Sequence, residues 1–125
     1  MIPKFRAWDK QQQCYFEATH RLMIRLDGEV YNSEYGDIQT DRFIIEPFTG
    51  LVTEDGTEIY GGDYIKSGYR GGTVKSIYQI EYDKIYACWY GSPIESNKHC
   101  QPLGEIRFGA VVVGNMNEGK KSLTK

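Results

Sequence analysis

The stretch from Phe48 to Ser67, FTGLVTEDGTEIYGGDYIKS, constrains the fold of this chain more than any other. It sets a Thr-Gly step, an Asp-Gly step and a Gly-Gly-Asp corner between short β-branched and aromatic pieces. Glycine enters positive φ without steric cost, so each step is a place where the backbone is expected to bend or reverse. Turns this close together leave room only for short strands, and the expected result is a compact corner leading into a small barrel. Gly62-Asp63-x-Ile65 has a physical logic of its own. The glycine releases the chain from the turn, Asp63 can accept nearby backbone N–H groups, and Ile65 enters the core. The signal is architectural and carries no chemistry.

A chain of 125 residues is expected to form one domain. At that length roughly two-thirds of the unfolded surface can be buried, so no disulfide or metal staple is required. Ten tyrosines and 14 glycines tilt the chain toward β-structure, because aromatics suit pleated surfaces and glycines suit turns. The three cysteines, Cys14, Cys88 and Cys100, are odd in number and irregularly spaced, which fits reduced thiols rather than a disulfide framework. No apolar run approaches the ~18 residues that span a bilayer. MIPKFRAWDK lacks the apolar core of a signal peptide, so the expectation is a cytoplasmic protein with no membrane partner.

The formal net charge of −2 conceals an uneven distribution. Residues 1–30 carry five Lys/Arg against four Asp/Glu, residues 31–60 one against seven, and residues 61–125 nine against six. An acidic middle argues against wholesale coating of nucleic acid, while leaving room for a local basic surface.

Along the chain, KFRAW at 4–8 and Cys14 to Ala18 read as an aromatic hairpin joined by the polar residues 9–13. His20 to Leu26 can be a strand or a short helix. Residues 27–42 show little apolar pattern and read as loop, and if any segment is mobile the expectation falls on 31–41. Phe43 to Ile45 restarts apolar character, and Pro47 is expected to limit the segment to an edge or a strand end. Asp55-Gly56 is the best two-residue turn signal. Strands are then expected near 64–67, 74–82, 85–90 and 106–113. In the second of these Val74, Tyr78, Ile80 and Tyr82 share one face, with Lys75, Gln79 and Glu81 on the other. Asp83-Lys84 is read as the reversal into the third. Residues 91–104, with Pro93 and Pro102, read as loop, and residues 119–125 as a solvated tail.

Three blocks together resemble the YopX family of bacteriophage and prophage proteins. They are KFRAWDK at 4–10 with Tyr15 and Phe16 following, FTGLVTEDGTEIYGGDYIK at 48–66, and VVVGNMNE at 111–118. The middle block is the specific one, since Thr-Gly-Leu, Gly, Glu-Ile-Tyr and Gly-Asp in that order are hard to produce by chance. Gly61 stands where the family often has glutamate, Phe48 replaces a tyrosine, and a closing Asn-Pro-Glu-Leu is absent. The resemblance implies a mainly β protein of a single domain. An N-terminal β-hairpin lobe (about 1–50) would be followed by a small SH3-like β-barrel (about 51–118). The family's role is largely uncharacterised, so no catalytic residue carries over.

The best candidate contact surface is the loop SGYRGGT at 67–73, which supplies Tyr69 and Arg70, with Tyr64, Lys66 and Lys75 expected nearby. Alternating aromatic and basic groups can stack bases and neutralise phosphates, and Arg and Tyr also anchor protein interfaces. A plain hairpin loop is the ordinary reading, ahead of a protein contact and then a nucleic-acid contact. Neither GxGxxG nor GxxxxGK[ST] is present. Cys88, His99 and Cys100 are close enough in sequence to suggest zinc, with Cys14 or His20 as further ligands, but no CxxC pair occurs. Buried or semi-buried thiols are the ordinary alternative. No GxSxG is present, and Glu54, Asp55 and Glu58 sit in an acidic, turn-rich stretch where solvation is ordinary. Tyr78, Tyr82, Tyr86 and Tyr90, with Trp89, crowd two adjacent strands and suggest a partner or oligomer surface beside a core face. The expectation is a non-enzymatic, protein-binding phage accessory protein without metal or cofactor, able to self-associate. The alternative is a nucleic-acid-binding regulator using the 64–75 surface.

Overall fold

The computed structural model describes residues 3–68, 75–95 and 99–119. The strands, in chain order, are β1 (Phe5–Asp9), β2 (Cys14–Tyr15), β3 (Leu22–Ile24), β4 (Val30–Asn32), β5 (Asp37–Ile38) and β6 (Phe43–Val52). They continue as β7 (Glu58–Tyr60), β8 (Asp63–Ser67), β9 (Ser76–Asp83), β10 (Cys88–Pro93), β11 (Gln101–Pro102) and β12 (Ala110–Asn115). One short helix, α1 (Leu103–Ile106), and two 3-10 turns, Thr19–Arg21 and Thr40–Arg42, complete the described elements. Strand pairing is antiparallel throughout and makes three sheets, so the fold is mainly β. The chain divides into two units, Lys4–Pro47 and a second from Phe48 onward. No helix among the described residues is long and apolar enough to cross a membrane.

In the N-terminal unit the predicted hairpin forms, with Trp8 opposite Tyr15 and Asp9 opposite Cys14. Its turn is held by Asp9, whose Oδ1 accepts the N–H of Gln11 at 3.0 Å and of Gln12 at 3.3 Å. The other edge of β1 pairs with β6, from Phe5 opposite Pro47 to Asp9 opposite Phe43. Ala7, Val30 and Phe43 form a small core, with Phe16, Leu22 and Ile45 packed against it.

Two expectations need correction in this unit. Residues 27–42 are not loop: β3, β4 and β5 make a three-stranded meander, with Met23 opposite Tyr31 and Tyr31 opposite Ile38. Strands of two or three residues are too short to show alternation. Polar contacts hold them instead: Asn32 Nδ2 donates to Gln39 Oε1 at 2.8 Å, and the Val30 N–H donates to Thr40 Oγ1 at 3.0 Å. Nor is Pro47 a strand end, since β6 runs on to Val52. Of the two expected placements, the edge is the one observed, with Phe43 to Pro47 paired to β1 alone among the described pairings. The partner changes at that point. Phe43 to Pro47 pair with β1, while Phe48 and Val52 pair with β7 across an irregular register. A missing N–H is tolerated where one ladder stops and another starts.

In the second unit the Asp-Gly turn closes the β6–β7 hairpin, with Gly56 at φ +88° and the Thr53 N–H donating to the Thr57 carbonyl at 2.9 Å. The Asp55 carboxylate accepts the Thr53 hydroxyl and the Thr57 N–H. The Thr53 hydrogen bond, more than any other cause, holds that carboxyl below its ordinary range. The remaining strands build a five-stranded sheet in the order β11-β10-β9-β8-β12, curled into a half-barrel. β8 and β9 fall where the sequence predicts strands, and Ser76, Tyr78 and Ile80 of β9 point inward. Ile59, Ile65, Tyr78, Ile80, Leu103, Ile106 and Ala110 make the core.

Three boundaries differ from expectation here. The return strand starts at Cys88 rather than Ile85, after a longer turn. Residues 91–104 are not a loop, because β10 extends to Pro93 and β11 and α1 follow. The last strand starts at Ala110, four residues later than expected, because Leu103 to Ile106 coil and drop two apolar side chains into the core. Ser67 Oγ fixes that coil by donating to the Ile106 carbonyl at 2.6 Å.

The approach of β10 to this core generates a test. A Cβ on Gly91 would lie 2.4 Å from Ile106 Cδ1 and 2.8 Å from Tyr78 Cβ. Gly91→Ala is therefore expected to cost about 1–3 kcal/mol in urea denaturation. Gly104→Ala, whose Cβ would meet nothing within 4 Å, should be close to neutral. Equal effects at the two positions would contradict this packing.

Candidate functional site

The five residues singled out in the sequence are not equivalent in the structure. Tyr64 is 3% exposed, buried in β8 between β9 and β12. Lys66 on β8 and Lys75 just before β9 are both exposed. Tyr69 and Arg70 lie outside the described residues. Cys14, Cys88 and Cys100 are exposed free thiols, which for Cys88 and Cys100 is contrary to the buried or semi-buried placement expected; they sit at strand ends and beside turns. Among the described residues no group of three or more His, Cys, Asp or Glu is placed to hold a metal ion.

An adjacent pair of exposed apolar side chains stands on the β9–β10 turn. Asp83 closes β9, and its Oδ1 accepts the N–H of Ile85 at 2.9 Å and of Tyr86 at 3.3 Å. An aspartate bonding two following amides is an Asx-type turn, which substitutes for backbone pairing. Ala87 then takes φ +53°, a left-handed conformation that a residue with a Cβ adopts at a cost. The result is that Ile85 is 85% exposed and Tyr86 78% exposed. Behind them Trp89 faces Tyr82 across the hairpin, the rings edge to face with centroids 5.2 Å apart. Tyr90 lies opposite Glu81, and burial first, then that carboxylate, pushes its phenol above the ordinary range. Sequence reasoning placed Ile85 on the return strand. The available signal was Asp83, two residues ahead of an apolar pair in a turn.

The N-terminal unit explains why its motif has Arg6, Asp9 and an aromatic strand together. Glu46 is 3% exposed, and its Oε1 accepts Arg6 Nε at 2.6 Å and the Tyr15 hydroxyl at 2.9 Å. The Arg6 guanidinium also lies 4.6 Å from the centroid of the Tyr15 ring. Further along the same strand Asp9 meets Arg42 in a two-pronged pair, Nε to Oδ1 at 3.0 Å and Nη2 to Oδ2 at 2.8 Å. Such forked pairs are the strong form of the ion pair, and a buried carboxylate depends on its partner. These groups are structural. On the outer side of this unit Cys14, Phe16, Glu17, Glu34, Tyr35 and Arg42 line a cavity of about 530 Å³.

Hydrogen bonding to Arg42 is the main cause that holds the Asp9 carboxyl below its ordinary value near 3.8. A lowered folded-state value contributes stability that is complete above the unfolded value and is lost as pH falls through the folded one. The stability gap between the protein and Asp9→Asn should therefore be full at neutral pH and narrow below about pH 4. Denaturation midpoints measured across that range check this. A gap independent of pH would contradict it.

No curated protein matches this chain. The crystal structure of protein EF1440 from Enterococcus faecalis is similar over 100% of this chain and 99% of that one, with a TM-score of 0.58 and 21% identity. At that identity the likeness speaks for the fold alone. The family model described as YopX protein matches residues 4–123. The blocks at both ends and the Gly-Asp corner thus lie within one continuous match, and the chain belongs to the YopX family.

Proposed function

We propose that this chain is a non-enzymatic phage or prophage accessory protein that works inside the host cell by binding another protein, with self-association as one mode. The observation that carries this reading is the β9–β10 tip, where a fixed turn holds Ile85 and Tyr86 in solvent. Large apolar side chains scattered singly on a surface need no explanation, but two adjacent ones on a preorganised turn do. Preorganisation lowers the ordering cost of binding, and tyrosine is enriched among the residues that dominate interfaces. The exposed Lys66 and Lys75 keep a basic component for the nucleic-acid alternative.

The second unit is read as an SH3-like barrel. Strand order supports this: a meander of β8, β9, β10 and β11, a short helix, and a last strand returning beside the first. Barrels of this kind carry their contacts on loops and hairpin tips, as here.

The test is affinity capture of the tagged protein from phage-infected lysate, with and without nuclease, beside an Ile85→Ser/Tyr86→Ser variant. Both positions are exposed, so the variant should keep its stability to within about 0.5 kcal/mol. A nuclease-resistant partner whose recovery drops at least ~10-fold in the variant is expected. Recovery that survives the substitutions would remove the tip from the account. Recovery that collapses with nuclease would transfer the function to nucleic acid, and the salt dependence of Lys66 and Lys75 variants would be measured next.

A further inference from the structure

We infer that the cavity on the outer side of the N-terminal unit is a recognition site for an arginine side chain of a peptide partner. It is separate from the β9–β10 tip and shares no residue with it. The cavity, about 530 Å³, has room for a guanidinium and its alkyl stem. Its wall holds the Asp9–Arg42 ion pair, and Glu34 of the wall is paired at 2.8 Å with Arg21, which lies outside the lining. Glu17, exposed on the same wall, makes no ion pair or side-chain hydrogen bond among the described residues. With the other charges matched, this carboxylate leaves the cavity negative.

The second component is aromatic. Tyr35 is 62% exposed on the wall and has no ring contact among the described residues, and Phe16 lines the same space. A planar guanidinium can stack on such a ring while donating to a carboxylate, a combination for which an ammonium is less suited. The unit already uses this geometry internally. Arg6 lies over Tyr15, and Arg42 lies 5.1 Å from the centroid of the Phe43 ring. Glu17 and Tyr35 supply the same two kinds of acceptor, a carboxylate and a ring, to one cavity.

Cys14 provides the readout, because its exposed thiol lines this cavity while the other exposed thiols, Cys88 and Cys100, do not. The full chain is alkylated in the presence of Ac-Gly-Gly-Arg-Gly-amide, and labelling of each cysteine is followed by mass spectrometry. Saturable slowing at Cys14 alone is expected, with a Kd of about 0.1–10 mM for one side chain. It should weaken roughly 5-fold or more in Glu17→Gln and in Tyr35→Ala, both exposed positions. The citrulline peptide, isosteric and uncharged, should protect poorly. Unchanged labelling at Cys14, equal protection by citrulline, or stronger protection by the glutamate peptide acting through Arg42 would each overturn the inference. Protection unaffected by either substitution would do the same. Success or failure here is independent of the Ile85/Tyr86 capture result.

Discussion

The Asp63 carboxylate ties the end of β7 to the end of β12 in the second unit. It is 1% exposed, and its two oxygens are both used, Oδ2 accepting the Tyr60 N–H at 2.8 Å and Oδ1 accepting Asn115 Nδ2 at 3.1 Å. The adjoining Gly62 stands at φ +90°. Its N–H donates to the Ile80 carbonyl, and its carbonyl accepts the Met116 N–H, both at 2.9 Å. One corner of two residues thus ties the end of β7, the start of β8, the middle of β9 and the end of β12. Buried polar groups that lose a partner cost about 1–3 kcal/mol each, so the corner tolerates little change. The family signature Gly-Asp near the middle of the chain and Gly-Asn near its end are the two halves of one contact.

The rest of the second unit follows from that frame. With β8 fixed between β9 and β12, Ile65, Tyr78 and Ile80 face the interior, and α1 supplies Leu103 and Ile106 to fill it. Arg107 adds a brace by donating to the Val52 carbonyl at 3.1 Å. A frame closed in this way can carry a hairpin whose tip breaks the ordinary rule of burying apolar side chains. The N-terminal unit reaches order by a different route. Its apolar core is small, and buried ion pairs on β1 take over much of the specification.

What the sequence disclosed and what it hid have physical causes. The Gly62-Asp63 corner, the Asp55-Gly56 turn and the alternation of β9 were legible because glycine chemistry and period-two burial are local properties. The meander at 22–38 was hidden because strands of two or three residues have no period, and their stabilising contacts join residues seven and ten apart. Pro47 pointed to an edge or an end and left open that the strand could run on past it, because a proline is tolerated where a strand exchanges partners. Residues 103–106 were hidden among polar and proline neighbours, although Leu103 and Ile106 sit three apart as one helical face requires. Of the residues read as an interaction surface, Lys66 and Lys75 are exposed, while Tyr64 is buried. Nothing in an alternating strand says which aromatic faces in. The exposed tip was missed because Asp83 was read as half of a two-residue reversal, when its carboxylate organises a longer one.

The central claim is that the Asp63 corner is the point from which the second unit, and the tip it presents, take their order. Site-resolved hydrogen exchange of the Tyr60 and Met116 amides tests it most directly. Both should exchange only with global unfolding, as slowly as the Ile65 and Ile80 amides of the core strands. Exchange as fast as that of the solvent-facing turn at Asp55 and Gly56 would show the corner opening on its own, and would contradict the account.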